Sequence, residues 1–139
     1  MVTVDAAVFT HSGGKTKVLL IKRGNEPFKG KWAVPGGFVN MDEELEDAAV
    51  RELAEETGVT GIHLEQMHTF GTVGRDPRGR QITIVFTGIA KEEQMKVEAG
   101  DDAAEAQWFE IEELPEDLAF DHDEVIRFAV GKLKNESKR

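Results

Sequence analysis

Glu52, Glu55 and Glu56 crowd the stretch Arg51-Glu-Leu-Ala-Glu-Glu-Thr57, at a spacing that puts them together on a helix. At roughly 100° per residue, Leu45, Ala48, Ala49, Glu52, Leu53 and Glu56 form the i, i+3, i+4, i+7, i+8, i+11 stripe that a helix turns toward a core. The stripe begins apolar and ends in glutamates. With Glu55 beside them, the three carboxylates fit an arc of roughly 100° and about one turn of length. Charges of one sign that close repel, and partial burial raises their pKa values unless a cation holds them ionised. Oxygen ligands with no cysteine in reach favour magnesium or manganese over zinc. Such an ion suits hydrolysis of a phosphoric anhydride, because it neutralises phosphate charge, orients the group and lowers the pKa of an attacking water. A solvated acidic helix is the plain alternative for any run of glutamates. The inward stripe speaks against it.

The elements that must position these groups follow from local signals. Asp42 can cap the helix, Glu43 and Glu44 suit its positive end, and Gly58 is a C-terminal stop, which predicts a helix over 42–57. Before it, Pro35 bars a backward extension and Gly36-Gly37 lets the backbone approach a ligand closely. Val2–Phe9 and Val18–Lys22 flank a turn at His11–Lys15 and read as an antiparallel hairpin. The loop from Arg23 to Lys31 brings Phe28 near Trp32. Either ring could stack on a base, or simply belong to the core. Residues 62–73 and 81–90 read as strands joined by Gly74-Arg-Asp-Pro-Arg-Gly-Arg80. The arginines of that turn, Arg75 and Arg78 foremost, are either a solvated hairpin tip or a clamp for phosphate or ribose. A polar, acidic loop over 92–105 could hang over the metal site, and 106–111 reads as a last strand. Over 121–134, His122, Val125, Ile126, Ala129, Val130 and Leu133 share a face, so this segment docks as an amphipathic helix. Residues 135–139 are expected to fray. Strands before and after a central helix, with a second helix at the end, suggest an α+β arrangement, an α/β/α sandwich with a mixed β-sheet.

Gly37, five residues, Glu43, seven residues, Arg51-Glu52-Leu53, one residue, Glu55-Glu56, one residue, Gly58-Val59 resembles a complete Nudix box. A match of this length is far more specific than a lone glycine triplet. The resemblance implies the Nudix fold and an enzyme that cleaves nucleoside diphosphates linked to another group. It also implies roles. Glu52 and Glu56 would ligate the metal, Glu55 would ligate it or position water, and the Gly36 carbonyl would be a further ligand. Gly37, Glu43, Arg51 and Gly58 would be structural, Arg51 holding Glu43 by ion pairing. Related pyrophosphatases take an additional acid from a loop near the last strand, for which Glu105 and Asp102 are the candidates here.

Residues 29–38, 75–79 and 118–122, with Pro77 downstream of the box, resemble the ADP-ribose pyrophosphatase branch. That implies conversion of ADP-ribose to AMP and ribose 5-phosphate, with Phe28, Trp32, Arg75 and Arg78 as substrate contacts and a homodimer as the assembly. Two alternatives remain. One is a house-cleaning hydrolase of modified nucleoside triphosphates. The other is a non-enzymatic ADP-ribose sensor of the kind fused to a DNA-binding winged helix, disfavoured by an intact box and by a length that leaves no room for that second domain.

Composition sets the outer bounds. A chain of 139 residues is expected to be one domain, 1–139, with about two thirds of its unfolded surface buried. No apolar run approaches the ~18 residues of a membrane span, and the first residues lack the pattern of a signal peptide, so a cytoplasmic location is expected. With no cysteine, disulfides and thiolate ligands are excluded, and the four histidines show no paired zinc spacing. The net charge of −10, from 17 basic and 27 acidic residues, opposes a nucleic-acid partner and leaves room for a small anion bridged by metal.

Overall fold

The computed structural model describes residues 1–91, 97–100 and 103–137. In chain order its elements are β1 (Val2–Ser12), β2 (Lys15–Arg23), β3 (Trp32–Ala33), β4 (Gly36–Phe38), α1 (Leu45–Thr57), β5 (Glu65–Phe70), β6 (Ile82–Ile89), β7 (Ala103–Glu110) and α2 (His122–Ser137). The strands form one mixed sheet in the order β3-β2-β1-β6-β5, with β4 added to β1 and β7 to β2. The β1/β6 pair is parallel, and the other pairs are antiparallel.

β1 sits inside this sheet, and its side chains alternate between two cores, as successive strand residues must. Val4, Ala6 and Val8 join Leu19, Ile84 and Phe86 beneath Ala48, Ala49 and Leu53 of α1. Ala7 and Phe9 join Val18, Leu20 and Val85 beneath Val125, Ile126 and Ala129 of α2. Each large side chain buried this way contributes roughly 2 kcal/mol. The result is the expected α/β/α layering. The β1–β2 hairpin closes through Gly13-Gly14, both at positive φ (59° and 78°), the two-residue geometry whose twist matches antiparallel strands.

Several boundaries differ from expectation. α1 begins at Leu45, and Asp42 is not its cap: the cap position is Glu44, which makes no side-chain cap hydrogen bond. The preceding turn is closed instead by Glu43, whose Oε1 accepts the Asn40 N–H at 3.1 Å. At the other end Gly58 takes φ 79° and donates its N–H to the Ala54 carbonyl, as anticipated. β7 starts at Ala103 rather than 106, because its pairing with β2 continues past a register shift at Lys22/Arg23 to the Arg23↔Ala103 pair. The helical rather than frayed state of Asn135 extends α2 to Ser137.

In the acidic loop, residues 92–96 and 101–102 lie outside the described residues. Its described part fastens to the C-terminal end of α1. Glu98 N–H donates to the Thr57 carbonyl (2.8 Å) and Gly100 N–H to the Glu56 carbonyl (3.3 Å). These bonds satisfy carbonyls that a helix end leaves without intrahelical partners.

Candidate active site

Glu52 and Glu56, one turn apart on α1, line a cleft of about 370 Å³. Its other walls include Thr3 and Asp5 of β1, residues 23–26, Val34 and residues 36–38, the arginine turn, and Phe120 with His122. Glu56 is only 6% exposed and its Oε1 accepts the Gly36 N–H at 2.8 Å. Glu52 leans against Gly37 so closely that a Cβ there would stand 2.6 Å from its carboxyl carbon, so any side chain at 37 would push the Glu52 carboxylate from its place.

Arg51 collects the box acids. Its Nε and Nη2 fork onto Glu43 (2.6 and 2.9 Å), Nη1 reaches Glu52 (2.7 Å) and Glu55 (3.2 Å), and Nη2 also donates to the Phe38 carbonyl (3.1 Å). The hydrogen bond from Arg51 holds the Glu43 carboxyl below its usual range, while Glu43 above all pushes the Arg51 guanidinium up. Glu55 is partly exposed and does not line the cleft.

Burial raises the pKa of Glu52 against the opposing pull of Arg51. Glu56 is driven to about 8, chiefly by burial, with the fields of Glu52 and Asp5 adding to it and the Gly36 N–H opposing. Among the described residues no three metal-ligating side chains are gathered at ligand spacing, since Arg51 holds Glu52 and Glu55 toward itself. The chemistry of the donors nevertheless fits a hard divalent cation. Two glutamates share a buried wall, every donor is an oxygen, and the buried Asp5 Oδ2 beside them makes no hydrogen bond.

A stability test follows from Glu56. Its folded pKa of about 8 exceeds the ordinary 4.5, so the metal-free fold binds more protons than the unfolded chain. That contribution is complete below pH 4.5 and is lost as pH rises to about 8, a tilt on the order of a few kcal/mol. Thermal melts in chelator should therefore fall between pH 5 and 8. Magnesium, which selects the ionised form, should flatten the slope, and Glu56→Gln should remove it. A flat profile in chelator would contradict the assignment.

The other candidates are placed as follows. Arg75 lines the cleft with its fork committed: Nε and Nη2 clasp Asp121 (2.9 and 2.7 Å) and Nη1 donates to Thr83 Oγ1 (2.6 Å). Arg78 also lines the cleft. It pairs with Asp76 in its own turn (Nη2 to Oδ2, 2.8 Å), and its guanidinium lies 5.2 Å from the Phe38 ring and 5.4 Å from the Phe120 ring. Neither arginine is a loose hairpin tip. Phe28 rests edge-on against Phe120 (4.8 Å), and Trp32 against Phe109 (4.7 Å) in the α2-side core; neither lines the cleft. Glu105 faces Lys22 across the β2/β7 pair at 3.4 Å, half-exposed and away from the cleft lining. Asp102 lies outside the described residues.

Sequence reasoning did not single out Asp5, Arg23, Phe38, Asp76 or Phe120, all of which line the cleft, and it placed His122 on a helix face and within the 118–122 stretch of the resemblance. Asp5 left a signal: a carboxylate in the middle of Val4-Asp-Ala-Ala-Val-Phe9, where an ion is rarely buried without a task. Phe120 left only its place in the 118–122 resemblance, because its φ of 52° is a property of the backbone.

A family model described as NUDIX domain matches residues 1–128. The ADP-ribose pyrophosphatase of Methanocaldococcus jannaschii is 48% identical over 111 residues, covering 80% of this chain and 64% of that protein. The ADPR responsive transcriptional repressor NtrR of Acinetobacter baylyi is 36% identical over 143 residues, covering 99% of this chain and 56% of that protein. The chain thus spans less than two thirds of either curated relative. Among solved structures, a MutT/nudix family protein from Enterococcus faecalis superposes with a TM-score of 0.90 at 36% identity, over 96% of this chain and 62% of that one. The NUDIX domain of Shewanella oneidensis NrtR complexed with ADP ribose superposes with a TM-score of 0.87 at 36% identity, over 96% and 88%.

Proposed function

Since this chain belongs to the NUDIX domain family, we propose that residues 1–139 act as one catalytic unit, a magnesium-dependent pyrophosphohydrolase that converts ADP-ribose and water to AMP and ribose 5-phosphate. The observation that carries the proposal is a half-buried and a buried glutamate, Glu52 and Glu56, one turn apart in a cleft that Arg78 and two aromatic rings also line. Glu52 and Glu56 would hold the divalent cation, with the Gly36 carbonyl and Glu55 as further candidates and manganese as a substitute. When bound, the ion supplies charge neutralisation at the diphosphate and a more acidic water. The chain's own residues do the rest. Gly37 gives Glu52 its space, Arg51 keeps the acids of the box in order, and the Gly36 N–H fixes the Glu56 carboxylate. Arg78, immobilised by Asp76 between two rings, presents positive charge to an anion in the cleft. Glu105, paired with Lys22 outside the cleft lining, is not placed to accept the proton, and Asp102 stays as the candidate.

The relative that is an ADP-ribose pyrophosphatase, at 48% identity, supports this substrate. The test is product analysis on purified protein with magnesium and a panel of ADP-ribose, nucleoside diphosphate sugars and triphosphates. AMP and ribose 5-phosphate are expected. Release of pyrophosphate from triphosphates at higher kcat/KM would transfer the assignment to the house-cleaning class. In the same assay Arg78→Ala should lower kcat/KM for ADP-ribose by about tenfold, about 1.4 kcal/mol, with little change in melting; unchanged kinetics would reduce Arg78 to a tie within its turn. A homodimer in the cytoplasm is the accompanying proposal. Among the described residues no helix is long and apolar enough to cross a membrane.

A second reading is favoured by one observation, the 36% identity to an ADPR responsive repressor along 99% of this chain. It makes the cleft an ADP-ribose sensor without turnover. Saturable ADP-ribose binding with no AMP released under magnesium would select it.

A further inference from the structure

The segment Leu-Ala-Phe-Asp-His at 118–122 grips two walls of the cleft, and hydrolysis as described above uses only its Phe120. Asp121 takes the fork of Arg75, and Ala119 donates its N–H to the Trp32 carbonyl at 2.8 Å. His122, the first residue of α2, is buried, and its Nδ1 accepts the Val34 N–H at 2.9 Å. One residue further on, the Pro35 carbonyl accepts the Ala6 N–H of β1 at 2.8 Å. One more, and the Gly36 N–H meets Glu56. Three consecutive backbone groups are therefore pinned in turn to α2, β1 and α1, although the two helices lie on opposite faces of the sheet.

The ring is itself held. With Nδ1 accepting, the neutral imidazole carries its proton on Nε2, and Nε2 lies 3.3 Å from Asp5 Oδ2. Asp5 is buried beside Gly36, its register partner in the β1/β4 pair. Its Oδ2 makes no hydrogen bond of good geometry, and a buried oxygen of that kind calls for an explanation. A carboxylate behind an imidazole that fixes its tautomer and orientation is a recurrent arrangement around metal sites.

We propose that His122 is a positioning residue, oriented by Asp5, that acts through the Val34–Gly36 backbone to hold Glu56 where it binds a divalent cation. The role of Glu56 is taken from the function proposed above; the coupling across the sheet is new.

The experiment uses Mn2+ alone as the probe, titrated into the full chain without substrate and followed by the electron paramagnetic resonance of the free ion. Two variants are compared. His122→Phe fills the ring's volume without an acceptor, whereas His122→Asn places an oxygen where Nδ1 stood. The Phe variant should bind Mn2+ on the order of tenfold more weakly, the loss seen when residues behind metal ligands are removed. The Asn variant should stay close to wild type. With ADP-ribose, the Phe variant should lose kcat with little change in KM, since Arg78 and its Asp76 partner are unchanged. A purely structural role would lower the melting temperature of both variants and leave Mn2+ affinity alone. Wild-type affinity in the folded Phe variant, or equal losses in Phe and Asn, would overturn the proposal. If the Phe variant does not fold, His122→Leu substitutes for it: loss of the acceptor for the Val34 N–H should weaken Mn2+ in the same way, and unchanged affinity overturns the proposal. A wild-type chain that binds no Mn2+ would instead fail the cation reading itself.

Discussion

Glu52→Gln and Glu56→Gln should each lower turnover of ADP-ribose by at least about a hundredfold, a loss of about 2.7 kcal/mol of transition-state stabilisation, in protein that remains folded. The geometry explains why the fold survives. Glutamine at 56 can still accept the Gly36 N–H through its amide oxygen, and it no longer keeps a charge in a place that drives the carboxyl to about 8. Glutamine at 52 can still accept from Arg51. What both lose is an anionic ligand that a neutral amide cannot replace for a hard cation. Near-normal magnesium-dependent turnover in both variants would remove the glutamates from the cation site, whatever the substrate.

Arg75→Ala is expected to act in the opposite way, on stability before kinetics. The Arg75 side chain is 5% exposed and its Asp121 partner 16%, and the pair is a two-pronged fork with a third bond to Thr83. Burial works against the Arg75 charge, and Asp121 more than offsets it, so the guanidinium is raised above its ordinary pKa. Removing one partner of such a pair leaves the other charge buried and uncompensated, at a cost of about 3 kcal/mol or more. The melting temperature should drop on the order of 10 °C for a chain of this size. Circular dichroism melts of Arg75→Ala beside Arg78→Ala separate the two arginines: an unshifted melt for Arg75→Ala would mean that its fork is dispensable and that its place is with the substrate.

The contrast between these arginines marks how far the sequence could be read. Glu52 and Glu56 were legible because a helix has a fixed period, and a charge where an apolar residue is due stands out whatever surrounds it. Gly58 was legible for a similar reason, since a left-handed helix end has few alternatives to glycine. The layers followed from the order of elements. Asp42 misled because an aspartate ahead of a helix is a good cap in isolation, and nothing local reveals that Glu43 is drawn back to Asn40 and across to Arg51. Arg75 could not be told from a surface arginine, because its partner is 46 positions away. A still greater distance in sequence hid the link between Val34 and His122, which are 88 positions apart. Trp32 was ambiguous on principle: a ring beside a glycine loop serves a core and a ligand equally well until the strand behind it is known, and here that strand carries Phe109.

β1 holds one more consequence, in the parity of its numbering. Val4, Ala6 and Val8 belong to the layer of α1; Asp5, Ala7 and Phe9 belong to the layer of α2, where Asp5 meets His122. One strand thus addresses two helices and the cleft by odd and even positions. Because a shift of one residue exchanges every odd position with every even one, the strand is far more tolerant of a changed letter than of a changed count. Between Thr3 and Phe9, the spelling of the cleft therefore depends on arithmetic as well as on the side chain of Asp5.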